Sequence, residues 1–218
     1  ITKDATPPAV AITTPADSSF VNIASDSALF AVSGTCDENG ETVVVKIDGT
    51  PATAPTGFIC DGTNFSGTIS TLTISEGSFD LTAELTDSSS NTGTSSANTI
   101  IKDTVAPIVA IDVLGNILQA NVTNYTVTGT CDGGAGSIDI SVGTESASGS
   151  CSGGTYSVSV NATSLSDGTG IAVLVDHEDD AGNSATQAST SVDKDTIAPT
   201  VSISYSPDIT LANQNSYS

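Results

Sequence analysis

The chain has 218 residues, with 25 Asp and Glu against four Lys, no Arg and one His, for a formal net charge of −21. That length suits one or two domains, and a balance so acidic excludes nucleic acid and anionic membrane surfaces as partners while attracting cations. No apolar run approaches the roughly 18 residues of a membrane-spanning helix, so no membrane insertion of this segment is expected.

Low hydrophobicity with high charge would point to disorder, but here Ser, Thr, Gly and Asn supply the polarity. Thr, Val and Ile recur in short alternating runs that favour strands. Met and Trp are absent, so any core is small and built from Val, Ile, Leu and Ala with an occasional Phe or Tyr. Ile1 opens inside an ordinary polar segment, which places any export signal upstream. Four cysteines in two similarly spaced pairs argue for disulfides and an oxidising, extracellular compartment.

A long repeat organises the chain. Lys3-Asp4-Ala5-Thr6-Pro7-Pro8 returns as Lys102-Asp103-Thr104-Val105-Ala106-Pro107 and as Lys194-Asp195-Thr196-Ile197-Ala198-Pro199, at intervals of 99 and 92 residues. Three further landmarks keep step: Ser33-Gly34-Thr35-Cys36 with Thr128-Gly129-Thr130-Cys131, Phe65 with Tyr156, and Asp87 and Asn91 with Asp179 and Asn183. Such a period suits a seven-stranded sandwich.

In chain order, the first copy reads as strands near 9–14, 27–36, 41–48, 56–60, 64–73, 78–86 and 92–102. The second reads as strands near 108–113, 123–131, 137–142, 145–151, 155–163, 170–177 and 184–193. Alternation is clearest in the sixth strand, where Phe79, Leu81, Ala83 and Leu85 point inward, as do Ile171, Val173 and Val175. The expected fold class is all-β: tandem immunoglobulin-like β-sandwich domains joined end to end. The expected division is 1–6 as the end of a preceding domain, domains at 7–103 and 104–195, and 196–218 as the incomplete start of a third.

The Asp-Thr-x-Ala-Pro linker, the Ser/Thr-Gly-Thr segment, read as a turn, and the turn Asp180-Ala181-Gly182-Asn183 resemble bacterial Ig-like tandem repeats of giant cell-surface adhesins or fibre proteins. The resemblance covers nearly the whole chain and implies a role in an adhesin, biofilm matrix or fibre. Two features depart from the common pattern: the cysteine pairs, and Asp87-Ser88-Ser89-Ser90-Asn91, which lacks the usual Gly.

Strand direction gathers chemistry at one end of each domain. If strands alternate up and down, Cys36 and Cys60 end strands at the pole nearest the preceding linker, as do Cys131 and Cys151. This favours Cys36–Cys60 and Cys131–Cys151 among three possible connectivities. A four-thiolate metal site would need cysteines of different domains to converge, at spacings unlike those of structural zinc.

The same pole collects Asp103, Asp132, Asp179, Asp180 and Asn183 in the second domain, and Asp4, Asp37, Asp87 and Asn91 in the first. Such oxygen ligands suit Ca²⁺ between domains, while turns also favour Asp and Asn for their own hydrogen bonds. Asn64, Asn121, Asn124 and Asn161 each begin a glycosylation sequon. Gly149-Ser150-Cys151-Ser152-Gly153 has the outline of a nucleophile elbow but no helix to follow it, and His177 is the one histidine, so no enzyme is expected.

The leading functional expectation is a rigid module of an extracellular fibre or adhesin stalk whose partners are neighbouring copies of the same repeat. The alternatives are a binding module for a glycan or protein of host, prey or matrix, and a homopolymer assembled by strand donation from residues 196–218. Non-reducing mass spectrometry is expected to find the chain lighter by the four thiol hydrogens; free thiols would remove the pairing.

Overall fold

The computed structural model describes residues 3–54, 57–132 and 134–203. Two sandwiches follow one another, and no helix occurs among the described residues. The first comprises β1 (Val10–Thr14), β2 (Phe20–Val21), β3 (Phe30–Cys36), β4 (Thr42–Ile47), β5 (Thr50–Pro51), β6 (Phe58–Ile59), β7 (Asn64–Ile69), β8 (Gly77–Thr86), β9 (Thr92–Thr94) and β10 (Asn98–Lys102). The second comprises β11 (Val109–Ile111), β12 (Ile117–Leu118), β13 (Tyr125–Cys131), β14 (Ser137–Val142), β15 (Glu145–Ser150), β16 (Thr155–Val160), β17 (Gly168–Glu178) and β18 (Ala188–Asp195).

Both sandwiches share one topology. A three-stranded sheet, β1-β3-β7 or β11-β13-β16, faces a larger sheet ordered β2-β10-β8-β4-β5 or β12-β18-β17-β14-β15. The short strands β2 and β12 pair in parallel with the last strand of their sandwich; two residues are too few to leave a periodic signal, and the sequence gives no hint of them. Of the strand expected near 56–60 only β6 forms, pairing with β4 as the separate two-residue β5 also does; residue 56 of that expectation lies outside the described residues. No strand is assigned over 196–203, and residues 204–218, expected to begin a third domain, lie outside the described residues.

Period-2 patterning explains the layers. Along β8 the buried residues are Phe79, Leu81, Ala83 and Leu85, and their neighbours face out. Along β17 the buried positions are Val173, Val175 and His177. Each sandwich has its own core, around Phe65, Ile69, Leu81 and Ile100 in the first and Ile117, Val127, Ile138 and Val173 in the second. At about 25 cal/mol per Å² such burial is the main favourable term, and in modules this small it is thin.

The Ser/Thr-Gly-Thr segments are not turns, as the sequence suggested, but lie inside β3 and β13. Glycine is required there by close approach, not by conformation. A Cβ on Gly34 would lie 1.9 Å from the Ala11 carbonyl oxygen and 2.6 Å from the Phe65 ring. On Gly129 it would lie 1.9 Å from the Ala110 oxygen and 2.5 Å from the Tyr156 hydroxyl oxygen. The aromatic ring of one neighbouring strand and the backbone of the other thus share the space that a side chain would take.

The two copies also exchange volume. Phe58 and Gly149 hold the same register position, opposite Val43 and Ile138, while Gly67 and Val158 face Val32 and Val127. A Cβ on Gly149 would come within 2.5 Å of Val158 Cγ2, so the large residue has moved from one strand to the other. Gly129→Ala is expected to destabilise the chain by about 2–3 kcal/mol through overpacking, read as a lower chemical-denaturation midpoint with an unchanged slope. An unaltered midpoint would show that the strand can give way.

Candidate functional site: the junction between the sandwiches

The linker starts from a buried lysine. Lys102 ends β10 only 5% exposed; its Nζ donates to the Thr71 carbonyl at 2.9 Å and pairs with Asp26 Oδ2 at 2.9 Å. Burial raises the pKa of Asp26, but hydrogen bonds from Thr71 and Lys102 and the charge of Lys102 outweigh it, leaving the pKa below the ordinary range. Lys194 repeats the arrangement, with Nζ donating to the Ala162 carbonyl at 3.0 Å and also to the Leu165 carbonyl. Val122 stands at the position of Asp26, and carbonyl oxygens serve the ammonium.

Each later linker residue meets a fixed partner. Asp103 Oδ1 accepts the Val105 N–H, and Asp4 and Asp195 do the same for Thr6 and Ile197. These are Asx turns, which the short side chain forms with the backbone two residues on. Thr104 is clamped by Glu76, whose carboxylate accepts its N–H at 2.9 Å and its hydroxyl. Asp167 clamps Thr196 in the second copy. Beyond the buried Pro107, Ile108 N–H donates to Asp132 Oδ1, as Ala9 N–H does to both oxygens of Asp37 at 2.9 Å.

Asn183 closes the junction. It sits in the turn after β17, where Asp179 Oδ1 accepts the N–H groups of Ala181 and Asn183 at 2.9 and 2.8 Å. Its own amide is 2% exposed and points across the boundary. Nδ2 donates to the Asp103 carbonyl at 2.9 Å and to Asp179 Oδ2 at 3.0 Å, while Oδ1 accepts the Ile23 N–H at 2.8 Å. Asn22 of the first sandwich returns a bond, Nδ2 to the Ala181 carbonyl at 2.9 Å. Gly182 has φ 83°, and a Cβ there would lie 3.2 Å from Asn22 Nδ2.

The first sandwich builds the same turn without the glycine. Asp87 Oδ1 accepts from Ser89 and Asn91 N–H at 2.9 and 2.8 Å, Oδ2 accepts from Asn91 Nδ2 at 2.8 Å, and Ser90 takes φ 68°. The Asn91 amide, opposed by burial and helped by the two N–H groups, holds the Asp87 carboxyl below its usual range.

Both cysteine pairs are disulfides, Cys36–Cys60 and Cys131–Cys151, with Cα atoms 5.9 and 6.0 Å apart. Next to the second lies His177, 2% exposed, with Nδ1 2.8 Å from the Ser137 carbonyl and Nε2 2.5 Å from the Asp132 carbonyl. It ties Asp132 to β17 and β14. Asp180 Oδ2 accepts the Ala135 N–H at 3.2 Å.

The acidic residues singled out for calcium therefore divide among several turns, each with a carboxylate turned toward backbone N–H. Among the described residues no group of three or more His, Cys, Asp or Glu converges in a way that could hold a metal ion. Of the sequon asparagines, Asn64, Asn124 and Asn161 are exposed and Asn121 is half-buried. Asn121 Oδ1 accepts the Leu118 N–H at 2.7 Å. The clamps of Glu76 and Asp167 carried a readable signal, because Ser75-Glu76-Gly77 and Ser166-Asp167-Gly168 recur with the acid 28 and 29 residues before the linker threonine. Asn22 carried none, since it has no repeated partner.

No protein-family model matches the chain, and no curated protein sequence matches it. Among solved structures, fibronectin(III)-like modules of CbhA from Clostridium thermocellum align with a TM-score of 0.50 at 14% identity, over 85% of this chain and 95% of that one. A Ca²⁺-stabilised, ice-binding adhesin of an Antarctic bacterium aligns at TM-score 0.45 and 24% identity, over 88% of this chain and half of that one. A bacterial ice-binding adhesin of 1.5 MDa aligns at 0.44 and 22%, over 88% and 67%. At these identities the likeness is one of fold: immunoglobulin- and fibronectin-type sandwiches in tandem.

Hydrogen bonds from Thr104, through its hydroxyl and then its N–H, hold the Glu76 carboxyl below its usual range. A folded-state pKa so lowered contributes stability that is complete above the ordinary glutamate value, about 4.3, and lost as pH falls through the folded value. Melting temperature is expected to fall as pH drops below about 4, and to fall less steeply in Glu76→Gln. Parallel curves for the two proteins would exclude the clamp as a source of acid sensitivity.

Proposed function

We propose that this chain is a spacer segment of an extracellular or cell-surface stalk, with modules at 7–103 and 104–195 that hold a fixed angle to one another. The observation that carries this reading is Asn183, a buried amide that binds the preceding sandwich, the linker and its own turn at once. A flexible tether would leave such an amide to water; a directional, buried junction fits a part whose task is to transmit position. Two disulfides and a proline-bearing linker support it, since both restrict the chain outside an enclosed core. The solved adhesin repeats of similar fold are consistent with it. The pole carboxylates, in this reading, order the linker backbone directly and need no cation.

Small-angle scattering tests the proposal. The chain is expected to give one extended, narrow distance distribution, unchanged between millimolar calcium and chelator. Asn183→Ala leaves a buried N–H and carbonyl without partners and is expected to cost about 3 kcal/mol and to broaden that distribution. Asn22→Ala removes the return bond to Ala181 and the two bonds that Asn22 Oδ1 accepts from Ser25 within its own loop; it leaves the Asn183 bonds in place and is expected to broaden the distribution less, without unfolding. A distribution already broad in the unaltered chain would refute a rigid junction.

A further inference from the structure

The two F–G turns have the same internal hydrogen bonds but different surroundings. Asn183 is enclosed because a sandwich lies ahead of it. Asn91, held by Asp87 as Asn183 is by Asp179, is half-buried, and its Oδ1 accepts no hydrogen bond among the described residues. The leading side of the first sandwich is otherwise prepared as the second is. Asp4 forms the Asx turn of Asp103, and Asp37 takes the Ala9 N–H as Asp132 takes that of Ile108. Asp103 is half-buried in the junction, whereas Asp4 is exposed.

The trailing side of a sandwich is equally well defined. The Asn22 carbonyl accepts the N–H groups of Ser25 and Asp26 at 3.1 and 2.8 Å, and the Leu118 carbonyl accepts those of Asn121 and Val122, both at 3.0 Å. A reciprocal bond closes each loop with a changed side chain: Ser25 Oγ accepts Asn22 N–H at 2.9 Å, and Asn121 Oδ1 accepts Leu118 N–H at 2.7 Å. Gln119 therefore stands where Ile23 does. In the observed junction the group received by Asn183 is a backbone N–H, so its delivery does not depend on the side chain at that position.

We propose that the Asp87–Asn91 turn is a docking site for the trailing loop of a further sandwich of this repeat, in line ahead of the first, with Asn91 Oδ1 accepting the backbone N–H that corresponds to Ile23. The inference rests on the stalk reading and adds direction and partner: successive copies associate head to tail through one amide per junction. Ser90 alters the fit: it carries a Cβ where one on Gly182 would lie 3.2 Å from Asn22 Nδ2, so the side chain at the Asn22 position turns slightly aside there. The trailing loop of the second sandwich has Leu118 at that position, which has no amide to donate, so the backbone N–H is the bond it offers.

The test is a longer chain in which residues 1–193 run directly into residues 3–218, keeping a single Lys-Asp linker at the new boundary. Hydrogen exchange of segmentally labelled protein reads the Gln119 amide on each side. The amide ahead of the new boundary is expected to exchange about tenfold more slowly than its copy in the trailing half. Asn91→Ala in the trailing half should abolish the difference. Equal exchange of the two amides, or protection that survives Asn91→Ala, would overturn the proposal. Asn183→Ala in the original chain separates this from the stalk reading. If it loosens the existing junction while Asn91→Ala changes nothing in the longer chain, only the docking inference fails; if neither matters, the stalk reading fails as well.

Discussion

The buried amide of Asn183 is the interaction on which the relation between the two sandwiches depends. An amide offers two donor hydrogens and an acceptor, and here these are shared among three bodies: the loop after β2, the linker at Asp103 and the turn at Asp179. Because Asp179 holds the amide in its own turn, moving one sandwich against the other breaks the bonds to Ile23 and Asp103 together. A hydrophobic contact of similar size would slide, whereas hydrogen bonds lose strength steeply with angle.

The rest of the linker prepares that geometry. Lys102 buries its stem beside the first core and sets the height at which the chain leaves β10. The Asp103 turn and the Glu76 clamp then direct it, and Asp132 receives it at Ile108. The Lys-Asp-Thr motif is thus a series of anchoring points, each residue type chosen by its partner. An ammonium reaches a carbonyl, a short carboxylate closes a turn, and a hydroxyl with its own N–H matches the two oxygens of Glu76. Each disulfide, closing a loop of 24 or 20 residues, contributes about 3 kcal/mol in the chain-entropy model, in modules whose cores lack any Trp or Met.

Comparing the copies separates what the fold requires from what it tolerates. Gly34 and Gly129 are retained because backbone and ring atoms already occupy the position of a Cβ. The pair Phe58 and Gly67 becomes Gly149 and Val158, since the core constrains total volume more than which strand supplies it. Asp26 becomes Val122, because carbonyl oxygens can serve a lysine as a carboxylate does. At Ser90 and Gly182 the turn is the same, and the difference lies on the surface that a neighbouring module meets.

The sequence alone determined the tandem sandwiches, the inward faces of β8 and β17 and the gathering of acids at the linker pole, because alternation, turn residues and repetition are local or periodic properties. It pointed to strand ends for the cysteines by direction alone. What only the tertiary structure decided is which backbone N–H each carboxylate of that pole accepts. Asp103 and Asp179 close turns with residues two positions on, while Asp37 and Asp132 reach Ala9 and Ile108 across the fold. Asn22, the two-residue strands β2 and β12, and the in-strand position of Gly34 and Gly129 were equally out of reach. Each is set by a contact between segments distant in sequence, where no period or spacing records which atoms meet.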